Sequence, residues 1–336
     1  MYRLLFSLQL LGLPMVIISG CQNKRKSQKV ISIHKAIVVK KNDSFNIDTA
    51  DYNKRIKALY TNGISNKFKK TPFPLPGAIL PYKRVVAFYG NLYSKRMGIL
   101  GELPKEKMLK KLREEEAKWQ LADSAIPTVP ALHYIAITAQ STPGKNNKYR
   151  LRMPFHQIDT IVAWANSIHG IVFLDVQLGQ SSVKEEVNTL RAYLKLPNVH
   201  LAIDPEFAMK RGEIPGTKIG TLSSYNINEA IAILAKIVKE NQLPPKILVI
   251  HRFTRAMVTD YQKIKTCPEV QIVMNMDGFG SKALKRSSYH MAICKEPVQF
   301  TGFKLFYKND TKGRQILYTP QELLQFNPKP IYIQYQ

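Results

Sequence analysis

Val199-His-Leu-Ala-Ile-Asp-Pro-Glu-Phe207 reads as a buried strand that stops at a proline with two carboxylates aimed the same way. Side chains alternate along a strand, so Leu201 and Ile203 share one face while Ala202, Asp204 and Glu206 share the other. Pro205 has no N–H to give a sheet ladder and marks the end of regular pairing. Two acids leaving a buried strand on one face are costly to keep together, which makes this strand end the first place to look for chemistry.

Outward from it, short apolar strands alternate with helical stretches. Strands are expected at 84–89, 129–138, 171–176, 246–251, 270–276, 299–306 and 331–335. Helices are expected at 105–121, 154–167, 183–194, 227–240 (with Asn226 as N-cap), 256–264, 282–292 and 320–326. With the opening stretch this makes eight strands joined by crossovers, the pattern of an α/β chain folded as a (β/α)8 TIM barrel. Loops that leave strands, such as 140–152 and 208–225, are long. Loops that enter them, such as 169–170 and 241–245, are short, so the elaborated face is the one where barrels carry their sites.

Polar residues collect at those strand ends: Tyr89 on the first strand, His133 on the second, Asp175 and Gln177 on the third, and Asp204 and Glu206 on the fourth. His251 and Arg252 end the fifth, Asp277 the sixth, Lys304 lies on the seventh and Tyr335 on the eighth. Singly each has an ordinary explanation: Asp175 or Asp277 as a helix cap, His251 as a core histidine, Lys304 as the partner of Asp277. Together they outline a polar pocket. Paired carboxylates suit glycoside hydrolysis, in which one acid protonates the leaving oxygen and a second group stabilises the cationic centre. The expected roles are Glu206 as proton donor and Asp204 and Asp175 as stabilisers. Tyr89, His133, Gln177, His251, Arg252, Asp277, Lys304 and Tyr335 are expected to bind substrate. Neither a cofactor nor a metal is expected.

Other chemistry remains open: a glycan-binding barrel without turnover, a metal-dependent phosphodiesterase using Asp175, Asp204, Glu206 and His251, or a lyase with Lys304 as Schiff-base nucleophile beside Asp277. Asp204-Pro-Glu206 resembles the terminal Asp-x-Glu of family 18 chitinase-like glycosidases, which implies Glu206 as acid and Asp204 as orienter. Ala202 stands where that family carries a further aspartate. Stretches including Arg84-Val-Val-Ala-Phe-Tyr-Gly90, Val129-Pro-Ala-Leu-His133, Asp277-Gly-Phe-Gly280 and Gly302-Phe-Lys-Leu-Phe306 resemble a group of secreted bacterial proteins and lipoproteins of unassigned activity.

The N-terminus points to export. Arg3 precedes an apolar run, 4–18, that is shorter than the roughly 20 residues of a spanning helix, and Ile18-Ser-Gly-Cys21 closes it. This resembles the bacterial lipobox. The resemblance implies a signal peptide at 1–20, lipidation of Cys21 and a membrane anchor in the cell envelope. Residues 21–82 read as a basic, largely irregular tether with one short strand at 35–39, and 83–336 as the barrel domain. The 336-residue chain carries 50 Lys and Arg against 24 Asp and Glu, a net charge of +26, with runs at Lys24-Arg25-Lys26 and Lys67-Phe-Lys-Lys70. Such a tail suits an anionic membrane surface. No nucleic-acid-binding motif accompanies it, so the partners expected are a membrane and a glycan, with the chain monomeric. Cys267 and Cys294 are expected to stay unpaired.

Overall fold

The computed structural model describes residues 47–60 and 71–336. The lipobox and the strand expected at 35–39 lie outside the described residues. Among the described residues, eight parallel strands close into a barrel: β1 Arg84–Gly90, β2 Thr128–Ala139, β3 Ile171–Val176, β4 Val199–Ile203, β5 Lys246–His251, β6 Val270–Met276, β7 Phe300–Leu305 and β8 Tyr332–Tyr335. Closure is direct, because β1 pairs with β8 on one side (Val85 opposite Tyr332) and with β2 on the other (Val85 opposite Val129). A short antiparallel strand, Arg150–Arg152, extends the far end of β2. No helix of the described residues is long and apolar enough to cross a membrane.

Strand alternation divides the core in two. Val86, Phe88, Leu132, Leu174, Leu201, Ile203, Leu248 and Ile250 face outward under the helices. Val85, Ala87, Val129, Ala131, Phe173, Ala202 and Val249 fill the barrel itself. On β4 the outward Leu201 and Ile203 and inward Ala202 follow the period of two read from the sequence.

The N-terminal end of the barrel is stoppered from outside it. Helix Thr49–Leu59, capped by the Asp48 carboxylate, buries Tyr52 and Leu59, and Leu59 joins the barrel's inner core. The Lys329 N–H donates to the Leu59 carbonyl at 2.8 Å and the Tyr60 hydroxyl to the Gln299 carbonyl at 2.9 Å. Gln271, on β6, holds both backbone groups of Leu80, accepting from its N–H at 3.1 Å and donating to its carbonyl at 2.6 Å. This helix falls inside the stretch read as irregular tether. With two buried side chains in 11 residues it has no apolar stripe for a sequence to display.

Five helix expectations need correction; the one at 183–194 is two helices, Val183–Thr189 and Arg191–Leu194, and the one at 320–326 is helical only over Pro320–Leu323. The helix after β4 runs Ser224–Asn241, capped by Ser223, and Asn226 sits at its third position, returning its side chain to the Ser223 N–H as a capping box. The helix expected at 256–264 is instead two short turns, Arg255–Met257 and Tyr261–Lys263, around Val258–Thr259, which pairs with Leu222–Ser223. There the Arg252 guanidinium takes the carbonyls of Thr254, Arg255 and Val258 that a helix would need for itself. The helix expected at 282–292 is α-helical only over Lys282–Ser288 and continues as a π turn, Tyr289–Cys294.

Candidate active site

A cavity of about 760 Å³ opens at the C-terminal ends of the strands. Its polar lining comes from successive inward positions: Tyr89 of β1, Gln177 after β3, Asp204 and Glu206 after β4, Asp277 after β6 and Lys304 of β7. Phe207, Phe253, Phe279 and Phe306 supply aromatic wall, and Arg96 and Gln336 add polar groups. Phe253, Phe279 and Phe306 each follow an inward polar residue, His251, Asp277 or Lys304, by two positions, so the same alternation that aims the polar group places the ring.

The carboxylates are held differently. The Asp204 side chain accepts from the Glu206 N–H at 3.0 Å, which fixes the single turn Pro205–Phe207 on which Glu206 rides. Asp204 is nearly fully buried, and burial followed by the neighbouring Asp277 pushes its pKa well above the carboxylate range. Glu206 is pushed up as well, by burial first and Asp277 second, against the opposing pull of Lys304 and His251. Lys304 lies 4.0 Å from Asp277 Oδ2, with its ammonium 3.7 Å from the centre of the Tyr89 ring. Burial lowers its pKa, while Asp277 works to raise it.

Below the cavity floor lies a second polar layer. His133, Asp175 and His251 are completely buried and do not line the cavity. Asp175 Oδ2 accepts from the Tyr89 hydroxyl at 3.0 Å, and Gln177 donates to that hydroxyl at 3.4 Å. His251 Nδ1 meets Asp277 Oδ2 at 3.1 Å, and His133 Nδ1 meets the Tyr332 hydroxyl at 2.5 Å. Burial works to raise the Asp175 pKa, yet His251, His133 and Lys304 together bring it down to about 2. Burial likewise works against charge on His251, but Asp175 and Asp277 outweigh it and raise its pKa. His133 has less help, and burial lowers it to about 4.

The residues expected at the site therefore divide into three groups. Tyr89, Gln177, Asp204, Glu206, Asp277 and Lys304 meet at the cavity. His133, Asp175 and His251 meet one layer beneath it. Arg252 and Tyr335 belong to neither, and their expected contact with substrate is corrected. Arg252 follows His251 and so points out of the barrel, where it donates to four backbone carbonyls and pairs with Glu296. Tyr335 points outward beside Gln334, its hydroxyl accepting from Trp119 Nε1 at 3.0 Å. The four phenylalanines of the wall had not been anticipated. Cys267 and Cys294 are both free thiols.

No family model and no curated protein matches the chain. Among solved structures it is similar to a Bacillus subtilis mannanase at 11% identity and a TM-score of 0.37, covering 85% of each chain. A second structure described as a B. subtilis mannanase has 11% identity and a TM-score of 0.36, over 76% of this chain and 81% of that one. A hyperthermophilic endo-β-1,4-glucanase has 8% identity and a TM-score of 0.33, over 66% and 81%.

Proposed function

We propose that the chain is an envelope-anchored lipoprotein whose barrel hydrolyses a glycan in the cavity at its mouth. What supports this most is the state of Glu206. It is a carboxyl group on the cavity wall whose pKa burial and the neighbouring Asp277 raise from the ordinary glutamate value, the direction a general acid needs. The walls suit the same substrate, because sugar rings present apolar faces to aromatic side chains and hydroxyls to polar ones.

In this reading Glu206 passes its proton to the glycosidic oxygen as the bond to the anomeric carbon breaks. Asp204 orients the acid by holding the Glu206 N–H. Asp277, on the same cavity, offers a carboxylate to the developing cation, with Oδ2 fixed by His251 and Oδ1 lacking a hydrogen-bond partner. Water adds to the anomeric carbon and passes its proton to the Glu206 carboxylate, which restores the acid and completes hydrolysis. Asp175 acts at one remove, through the Tyr89 hydroxyl.

The test is a screen of the protein against cell-wall and storage glycans, with Glu206→Gln alongside. Turnover by the wild type and binding without turnover by the variant support the reading. Binding by both with turnover by neither replaces the enzyme with a recognition module. The anchor is tested separately: Cys21→Ser should abolish incorporation of a labelled fatty acid and leave residues 1–20 uncleaved, read as a larger protein by mass. The same account has the protein acting as a monomer.

A further inference from the structure

We propose that His133, Asp175 and His251 form a binding site for one divalent transition-metal ion beneath the cavity floor. This runs against the expectation from sequence, where the three residues lie far apart on β2, β3 and β5 and make no compact ligand motif.

The observation that carries the proposal is a set of orphaned atoms. His133 Nε2, His251 Nε2 and Asp175 Oδ1 are each buried without a hydrogen-bond partner. All three side chains are 0% exposed. A buried polar atom left unsatisfied costs about 1–3 kcal/mol, and here three of them converge on one place. They are too far apart to satisfy one another: His133 Nε2 stands 3.8 Å from Asp175 Oδ2, and His251 Nε2 stands 3.8 Å from Oδ1, beyond hydrogen-bond reach. That spacing suits an intervening ion. Ligands each about 2.1 Å from one metal stand at most roughly 4.2 Å apart; the two 3.8 Å separations, one to each Asp175 oxygen, meet that limit, and the three residues, whose offered atoms lie within 4.8 Å of one another, need close only by a few tenths of an ångström around an ion.

The surroundings are those of a metal site in a second respect. Each imidazole is held by its other nitrogen, His251 Nδ1 by Asp277 Oδ2 at 3.1 Å and His133 Nδ1 by the Tyr332 hydroxyl at 2.5 Å. Gln334 donates to that hydroxyl at 3.1 Å, and Asn275 donates to Gln334 at 3.3 Å. Outer contacts of this kind fix the ring and leave Nε2 facing the ion. Two imidazoles and one carboxylate favour Zn²⁺, Fe²⁺ or Co²⁺ over Mg²⁺ or Ca²⁺, which prefer oxygen ligands. Tyr89 touches Asp175 and also lines the cavity, so the ion would lie one side chain below the floor.

The test does not depend on any glycan being turned over. The full chain, made without a polyhistidine tag, is stripped with chelator, dialysed and titrated with Zn²⁺ and Co²⁺. Bound metal is counted by mass spectrometry, Co²⁺ absorption is recorded, and thermal unfolding is followed with and without Zn²⁺. One equivalent of Zn²⁺, a raised Tm and ligand-field bands of Co²⁺ bound to nitrogen and oxygen are expected. His133→Gln, Asp175→Asn and His251→Gln should each weaken binding by more than about 100-fold, exceeding the 10–100-fold loss typical of removing an outer partner. Cys267→Ser with Cys294→Ser should leave it unchanged. Near-UV circular dichroism of the stripped variants checks folding. If a ligand variant fails to fold, Asp277→Asn, which keeps all three ligands, should still weaken binding by about 10–100-fold. No stoichiometric binding of either ion, or full binding by both Asp175→Asn and His133→Gln, would overturn the proposal.

Discussion

Glu186 offers the sharpest test of how the wall of the mouth is held. It is 0% exposed and accepts from Arg150 Nε at 2.7 Å, Arg152 Nε at 2.7 Å and the Ser181 hydroxyl at 2.5 Å. Arg150 is itself 3% exposed, so the pair ties the short strand Arg150–Arg152 to the helix Val183–Thr189 in a nearly dry place. Glu186→Gln keeps the shape, removes the charge and turns one acceptor into a donor facing donors. Removing one partner of a buried ion pair costs about 3–5 kcal/mol. Arg152 is half-exposed and contributes little of this, and Arg150 keeps Glu185 at 3.2 Å, so the lower end, about 3 kcal/mol, is the expected loss. For a domain this large that lowers Tm by about 6–12 °C. The sign with pH follows from the native carboxylate, whose pKa is lowered: burial works to raise it, and the Arg152, Ser181 and Arg150 contacts outweigh burial. A depressed acid contributes stability above its unfolded pKa and loses it as pH falls through the folded one. The gap between wild type and variant in urea unfolding should therefore be full at pH 7 and close on acidification below the ordinary carboxylate range. A loss under about 1 kcal/mol at pH 7, or a gap unchanged at acid pH, would refute the reasoning.

Gly302→Ala should cost about 1–3 kcal/mol in urea unfolding, because its Cβ would stand 2.6 Å from Asn275 Oδ1 and 2.9 Å from Tyr332 Cδ1 inside the closed barrel. Lys246→Met should cost a similar amount, about 1–3 kcal/mol by the same assay, since it removes the buried ammonium that donates to the carbonyls of Leu196 at 2.5 Å and Val199 at 2.9 Å where β4 begins. Phe253→Ala and Phe279→Ala should each raise KM for a glycan by about five-fold with kcat little changed, the equivalent of about 1 kcal/mol of stacking.

Much of the barrel was legible because a strand buried on both faces reads as a near-continuous apolar run. That is why 171–176, 246–251 and 270–276 end where the sequence says they do. The polar mouth was legible for the same reason, since Asp175, Asp204, His251 and Lys304 interrupt apolar runs. Its depth was not. Whether an inward residue reaches the cavity or stops a layer below depends on how each strand is staggered in the barrel, and nothing local to Asp175 or His251 reports that. Arg252 and Tyr335 were misplaced by taking neighbours of inward residues as companions, although alternation sends them outward. The phenylalanine walls carried a usable signal, a ring two positions beyond an inward polar residue. The helix Thr49–Leu59 carried little, because its burial is supplied by residues distant in sequence.

Glycan turnover by the wild-type protein and Glu206→Gln, followed across pH, tests the central claim most directly. The account predicts that the wild type releases sugar, that its rate falls as pH rises through the raised pKa of Glu206, and that the variant binds the same glycan without cleaving it. Turnover in the variant equal to wild type, or a rate flat across that pH limb, would contradict it.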